Sequence, residues 1–386
     1  MARSRDPLAT RGPDLTTSWA QVCGWRLARQ HVTAPADDAV AVATRVCGVQ
    51  AQVTSSAQFT VGIRSPATAD DVAAALWTDR TLVRTWAMRG TLHWLPAAEF
   101  GLWIAALTTR SWRITASWEK YHGVTADEVD AVTAAIPDVL AGQQLTREEL
   151  ARGLADATGL THLAAQLTSG WGAVLKPAAN HGLLCFGPDR ERNVTFVRPD
   201  DWLGDTGAAP DPDEAMRAVL WRFLDAYGPA IPADVARWFG EREPFGRRLL
   251  AAHADDLAVV DVDGHRAWLT PGGAAALADH DPAEGVVLLG GFDPYVLAPI
   301  SHREAIIPAG RLDRVSRTAG WISPVVLVDG MVAGTWETRA DGEATQVVVT
   351  PFTALADADL AAVGARVDEL AGQVLPANAR VAVERV

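Results

Sequence analysis

Lysine is almost missing from this chain. Of 34 basic side chains only Lys120 and Lys176 are lysines, so Schiff-base chemistry would depend on one of two residues. Lys120 lies in an aromatic helical stretch where a surface role serves as well. Cysteine is scarce too: Cys23, Cys47 and Cys185 are an odd, scattered set without Cys-x-x-Cys spacing. That argues against a disulfide framework and suits a reducing cytoplasm. Long apolar runs are absent, the best being pieces such as VVLLGGF and VVLVDG, too short to span a bilayer. The leader MARSRDPLATRGPDL carries basic residues but no apolar h-region, so export is not expected and a cytoplasmic protein is. The glycosylation triplet Asn193-Val194-Thr195 then has no expected use. Nucleotide and acyl-transfer signatures are also missing: no GxxxxGK[ST], no GxGxxG after a strand, no GxSxG. His302 and Glu304 are near neighbours, but neither HExxH nor a Cys/His cluster occurs, so no metal and no cofactor is expected.

What remains is a chain of 386 residues, 49% hydrophobic and 21% charged, enough for two to four domains with real cores. The formal charge of −13 speaks against nucleic acid until it is divided. Residues 1–120 hold 13 basic and 9 acidic side chains, the rest 21 and 38. Phosphate attraction depends on the local field, so a basic face near the N-terminus is permitted.

The spacing predicts a helix over 15–31, opened by a Thr-rich cap, and a second over 34–47. SPATADDVAAALWTDR (65–80) offers a helix with a Ser-Pro start and early aspartates. RTLVRTWAMRG then reads as helix-compatible, followed by the short alternating strand TLHWL and a new helix after Pro96. Helices followed by a short strand pair are the organisation of a winged helix, and it recurs. LTREELARGLADATGL begins with a capping box, Thr146 against Glu149, and leads to a hairpin in CFGPDRERNVTFV. GPAIPADVARWFG precedes DLAVVDVDGHRAWLT, a strand pair joined by Asp-Gly. From about residue 282 short β-rich pieces dominate, then the amphipathic stretch LADADLAAVGARVDELAGQVL, and VAVERV as a returning edge strand. The fold class expected is α+β: winged-helix modules over 14–124, 125–208 and 209–280, then a β-barrel-like domain over 281–386.

GVQAQVTSSAQF (48–59), LVRTWAMRGTLHWLPAAEF, LLGGFDPYVLAP and PVVLVDGMVAGTWE together resemble the bacterial winged-helix DNA glycosylases of the AlkZ/YcaQ type. The likeness covers most of residues 15–345, with RTWAMRGTLH its most specific part. It implies three winged-helix modules and a barrel-like domain forming a concave surface for duplex DNA. It also implies a catalytic Gln-φ-Gln motif in the antibiotic-resistance branch, against Gln-φ-Asp in a second branch. The motif falls on Gln50, Ala51 and Gln52, with a small apolar residue in the middle. The resemblance thus implies excision of bulky N7-alkylguanine or N3-alkyladenine from double-stranded DNA, by a monomer without cofactor.

The chemistry makes sense of neutral residues there. Alkylation at N7 makes the purine cationic and a good leaving group without protonation. What remains is to place a water near C1′ and to face a sugar that becomes cationic, and amide oxygens can do both. Two glutamines two apart do not share one face of a regular helix, so a helix end or irregular turn is expected, with Thr54 and Ser55 just beyond. Candidate DNA or lesion contacts are Thr54, Ser55, Arg64, Arg84, Arg89, His93, Phe292 and Asp293. Arg64 is read as a phosphate ligand or a structural arginine. Arg84 and Arg89 read as phosphate contacts, partners of a buried carboxylate or surface arginines, and His93 as a lesion contact or a satisfied core histidine. Asp293 is a turn-setting residue or part of the cleft. Most of the fifteen tryptophans, such as Trp112 and Trp118, read as core, with one or two free to stack on a base or aromatic adduct. The competing functions are a winged-helix transcriptional regulator and a noncatalytic lesion-binding protein.

Overall fold

A computed structural model describes residues 8, 11–110, 114–204, 208–297, 300–342 and 344–384. Trp112 and parts of the leader and of the boundary TGAAPDPDEA lie outside them. The chain divides into two compact units, Met1–Val72 with Leu220–Val386, and Ala73–Val219. The segment 14–124 is therefore shared between them.

In the first unit, Leu15–Thr17 is a strand (β1), not the start of a helix. β-Branched threonines favour extended backbone, and β1 runs parallel to β8 (Ala258–Val262), Leu15 facing Val260. Helix α1 (Trp19–Arg29) begins one residue later, where Ser18 Oγ accepts from Gln21 N–H at 3.3 Å. It buries Val22, Cys23, Trp25 and Leu27. Gly24 is required there, because a Cβ would sit 2.3 Å from the Asp281 carbonyl oxygen. Helix α2 (Ala39–Arg45) is capped by Asp38, whose Oδ1 accepts from Ala41 N–H at 2.8 Å. The short strand β2 (Val49–Gln50) and helix α3 (Thr54–Gly62) follow.

Helix α4 (Ala69–Trp77) starts at Thr68, not at Ser65-Pro66. Thr68 N–H donates to Asp71 at 2.8 Å and Asp71 N–H donates to Thr68 Oγ1 at 3.2 Å, a reciprocal cap. Ser65 is buried and donates back to the Val61 carbonyl.

Further along the first unit, helices Pro232–Phe239 and Glu243–Ala252 lead into the hairpin of β8 and β9 (His265–Leu269). Its turn residues Asp263 and Gly264 have φ of 49° and 86°, the left-handed pair that Asp-Gly supplies.

The C-terminal sheet has the order β10 (Val286–Leu289), β11 (Val325–Val328), β12 (Met331–Asp341), β13 (Ala344–Pro351) and β14 (Ala379–Val383). It is antiparallel except for β13–β14. Helix Asp357–Leu370 touches both edge strands, β10 and β14. Edges of a flat five-stranded sheet lie about 19 Å apart, against about 10–12 Å for a helix with its side chains. The sheet therefore curls around the helix, which buries Val363, Val367 and Leu370 against Leu288, Leu327 and Val347. The expected barrel is thus a half-barrel with two edges.

In the second unit, LVRTW is a strand rather than helix. β3 (Leu82–Trp86) pairs antiparallel with β4 (Leu92–Pro96), Thr85 facing His93. The turn between them has Arg89 and Gly90 at φ of 58° and 66°. Helix Ala126–Leu140 begins with a capping box at Thr125 and Glu128, and helix Arg147–Thr158 with the expected one at Thr146 and Glu149. β5 (Gln144–Thr146), β6 (Cys185–Arg190) and β7 (Asn193–Val197) form a sheet in the order β5-β7-β6. Trp86, Phe186 and Phe196 anchor this core, with ring centroids 4.8–6.0 Å apart. Trp118 packs against it. Among the described residues no helix is long and apolar enough to cross a membrane.

Candidate active site

The Gln-x-Gln stretch leaves a strand and enters a bend. Helix α2 ends at a turn in which Cys47 and Gly48 take φ of 58° and 91°, and Gly48 N–H donates to the Ala43 carbonyl at 2.7 Å. Tyr227 Oη fixes the same turn by donating to the Val46 carbonyl at 2.6 Å. The chain leaves as β2, where Val49 and Ala51 are buried while Gln50 is half-buried and Gln52 exposed. Of the expected helix end or irregular turn the structure has the second, since Gln52 lies in a bend between β2 and α3. The small middle residue fits, since Ala51 has no exposed surface.

Helix α3 begins two residues after Gln52, with no side-chain cap. Thr54 and Ser55 are exposed in its first turn. Its other end is pinned. Phe59 packs on Trp336 at 5.3 Å, and Gln373 Nε2 donates to the Gly62 carbonyl at 2.8 Å. A Cβ on Gly62 would lie 2.2 Å from Val374 Cγ1.

Arg64 and Asp293 are not surface contacts. Both are fully buried and pair bidentately, Nη1 to Oδ2 and Nη2 to Oδ1 at 2.8 Å each. Arg64 Nε also donates to the Gln30 carbonyl at 2.9 Å and Nη1 to that of Thr60 at 3.2 Å. Asp293 Oδ1 further accepts from Tyr295 N–H at 2.9 Å, the turn-setting role. The phosphate-ligand reading of Arg64 and the cleft reading of Asp293 give way to one internal clamp joining α3 to the C-terminal sheet region. A planar guanidinium matched to a carboxylate is the pairing that tolerates such burial.

Phe292, beside it, has φ of 58° and sets its ring edge-to-face against Trp321 at 4.9 Å. Val53, Ser55 and Ser56 line a groove of about 930 Å³ together with Gly291, Trp321, Arg317 and the strand residues Glu337 and Arg339. Arg339 is spent on Glu337 and Glu384. Trp321 and Arg317 were not singled out from sequence. The available signal was an aromatic in the polar loop RTAGWIS, outside any periodic segment.

The second unit holds the remaining candidates. Arg84 is half-buried with its guanidinium 5.0 Å from the Phe186 ring centre. Burial lowers its pKa, partly offset by Asp189. The contact is to an aromatic ring, and the exposed Asp189 makes no ion pair with Arg84, so it is not the buried carboxylate partner expected. Arg89 is half-buried in the turn after β3. By sequence His93 reads as a lesion contact or a satisfied core histidine, and β4 is buried on both faces. His93 keeps 2% exposure, its Nδ1 lies 2.9 Å from the Thr91 carbonyl oxygen, and burial with nearby Arg89 pushes its pKa down to about 3. A neutral core histidine is what these facts describe.

Among the described residues no group of three or more His, Cys, Asp or Glu is arranged to hold a metal ion. All three cysteines are buried and outside any disulfide, and burial raises the pKa of Cys23 and Cys185, the reverse of what a nucleophile needs.

Residues 43–372 match the family described as DNA glycosylase AlkZ-like. An interstrand DNA cross-link repair glycosylase of Streptomyces sahachiroi is 40% identical over 344 residues, covering 88% of this chain and 91% of that protein. The solved structure of the Streptomyces sahachiroi DNA glycosylase AlkZ superposes with a TM-score of 0.88 at 38% identity, covering 96% of this chain and all of that one.

Proposed function

The chain belongs to the AlkZ-like DNA glycosylases, and from that premise we propose that it excises bulky or cationic alkylated purines, N7-alkylguanine among them, with Gln50 and Gln52 as its catalytic pair. The observation that carries this reading is a pair of neutral amides, Gln50 half-buried and Gln52 exposed, that flank buried Ala51 just before the open end of α3. The C1′–N9 bond breaks with its electrons passing to the cationic purine, which leaves neutral. The sugar becomes an oxocarbenium-like cation, a water adds at C1′, and its proton goes to solvent. Amide oxygens accept from that water and face the positive sugar. No group has to protonate the leaving base. Lysine has no part in this scheme, so the product is an intact strand with an abasic site.

The DNA platform we infer is tandem winged helices. In the second unit, helix Ala126–Leu140, β5, helix Arg147–Thr158, helix Lys176–Asn180 and the β6–β7 hairpin follow in winged-helix order, with β5 beside β7. The order recurs with helices Pro212–Tyr227, Pro232–Phe239 and Glu243–Ala252 before the β8–β9 hairpin, where Ala230 bridges Trp268 of β9 as the short strand. The relative's cross-link repair suggests the biological setting, either repair or self-resistance to a DNA-alkylating natural product, with duplex DNA as partner and the monomer as active form.

The deciding experiment is base release from duplexes carrying N7-methylguanine or a bulkier N7-alkylguanine. Release leaving an alkali-labile, otherwise intact strand is expected. Tight lesion binding without release would instead identify a noncatalytic lesion-binding protein.

A further inference from the structure

Trp321 differs from the tryptophans that fill the core. Trp25, Trp94 and Trp103 are buried, whereas Trp321 leaves 43% of its surface exposed while lining the groove beside α3. Its loop is held in place by the protein's own hydrogen bonds: Arg317 N–H donates to the Trp321 carbonyl at 2.8 Å, and Ser323 N–H donates to the Val315 carbonyl at 2.9 Å. The ring has one aromatic neighbour among the described residues, Phe292, at 74°. An edge-to-face contact engages at most one face of an indole, and the exposed part of this ring borders the groove. Phe292 reaches that position with a left-handed backbone, unusual for a bulky side chain.

Gly291 ties this corner to the candidate active site. A Cβ on it would lie 3.2 Å from the Ile322 carbonyl oxygen and 3.3 Å from Ser56 Oγ. The residue after Trp321 and the residue four beyond Gln52 therefore flank the same glycine. An exposed aromatic face, held by a buttress and opening on a groove of about 930 Å³, suits a planar ring and not a phosphate.

We propose that Trp321 is the stacking platform for the flat aromatic part of the lesion, buttressed by Phe292, and that it determines specificity for bulky aromatic adducts. The identity of the ligand rests on the glycosylase reading; the geometry of the platform does not. An indole face attracts a cationic ring through its quadrupole, so an N7-alkylated guanine carrying an aryl group gains on both counts.

The test uses the full chain and duplexes with 2′-fluoroarabino N7-methylguanine, a 2′-fluoroarabino N7-arylmethylguanine, or no damage; the fluorine blocks glycosidic cleavage. Fluorescence anisotropy gives the affinity for each, with thermal melts checking the fold of Trp321→Ala and Trp321→Phe. The wild type should prefer the arylated duplex. Trp321→Ala should lose about tenfold or more of that preference, and much less for the methylated duplex, as expected for one base-sized stacking contact. Affinity for undamaged DNA should hold, and Trp321→Phe should restore most of the preference. An unchanged preference in Trp321→Ala, an equal fall on all three duplexes, or no preference in the wild type overturns the proposal. Non-fluorinated duplexes separate the two claims. A Trp321-dependent preference without base release sinks the glycosylase reading alone, and equal release of the aryl adduct by wild type and Trp321→Ala sinks the stacking proposal alone.

Discussion

Helix α3 starts in neutral, solvent-facing polar residues and finishes in a buried ion pair. At the start, Gln50, Gln52, Thr54 and Ser55 carry no charge and no side chain caps the helix. At the finish, Arg64 and Asp293 have no exposed surface and bond to each other in two places. Nine helical residues separate the two ends, about 13 Å of rise. In the function proposed, formal charge holds and neutral dipoles react. The proposed cationic substrate would supply its own activation, so the open end would need only placement, to which the closed end contributes.

The largest effect should come from breaking the closed end. Asp293→Ala strands a buried guanidinium and should cost about 3–5 kcal/mol of stability, measured by urea unfolding. The double variant Arg64→Met/Asp293→Leu should lose clearly less, because no charge is left unpaired. Equal losses would show that packing and not charge pairing matters there.

The open end should behave in the opposite way. Gln50→Ala or Gln52→Ala should slow single-turnover excision by about 10²-fold, near 2.7 kcal/mol in the barrier. Stability should stay within about 0.5 kcal/mol, as for surface changes. Gln52→Asp keeps an oxygen in place and should retain measurable activity, with a shifted adduct preference. Wild-type rates in both Ala variants would return the pair to ordinary strand polarity.

A smaller effect separates buried ionisable groups from the neutral pair. His93 binds a proton in the folded chain only near about 3, against an ordinary value of 6.5. The unfolded chain binds that proton first, so the stability His93 contributes is present above pH 6.5 and is lost as pH falls from there toward 3. The slope is at most about 1.4 kcal/mol per pH unit for one site. His302, fully buried with neither ring nitrogen hydrogen-bonded among the described residues, is lowered in the same sense by burial and Arg26 and adds its own slope. His93→Gln should flatten the profile of unfolding free energy against pH. The excision rate, with no titrating group at the glutamines, should stay level between pH 6.5 and 8.

The smallest effect expected is none at all: excision should be unchanged by a chelator and by Lys120→Ala. Borohydride trapping of a lysine-linked adduct would overturn that.

Sequence made the local features readable. The capping box at Thr146 and Glu149, the Asp-Gly turn of the β8–β9 hairpin and the C-terminal helix need only neighbouring residues to form. The edge strand at 379–383 was equally plain. Much of what escaped depends on partners far away in the chain. Leu15–Thr17 becomes a strand because β8 lies alongside it, whereas LVRTW escaped although its partner β4 begins only six residues on. Arg64 follows the stretch FTVGI and reads as a phosphate ligand or a structural arginine until Asp293 is found 229 positions later. Trp321 was overlooked for a different reason, since an indole is a core residue by default and only its exposure marks it otherwise.

The discontinuous first unit sets an order on synthesis. Residues 73–219 form a contiguous unit, so that core can close while the ribosome is still at work. The Gln-x-Gln strand leaves the ribosome long before them, yet α3 gains its clamp only with Asp293 and its close neighbour Val374 only near the end of the chain. β1 likewise waits for β8. Such distant closures are slow and leave apolar surface open in the interval. The segment proposed to do the chemistry is therefore made early and fixed late, so a nascent or truncated chain carries the glutamines without the support that aims them.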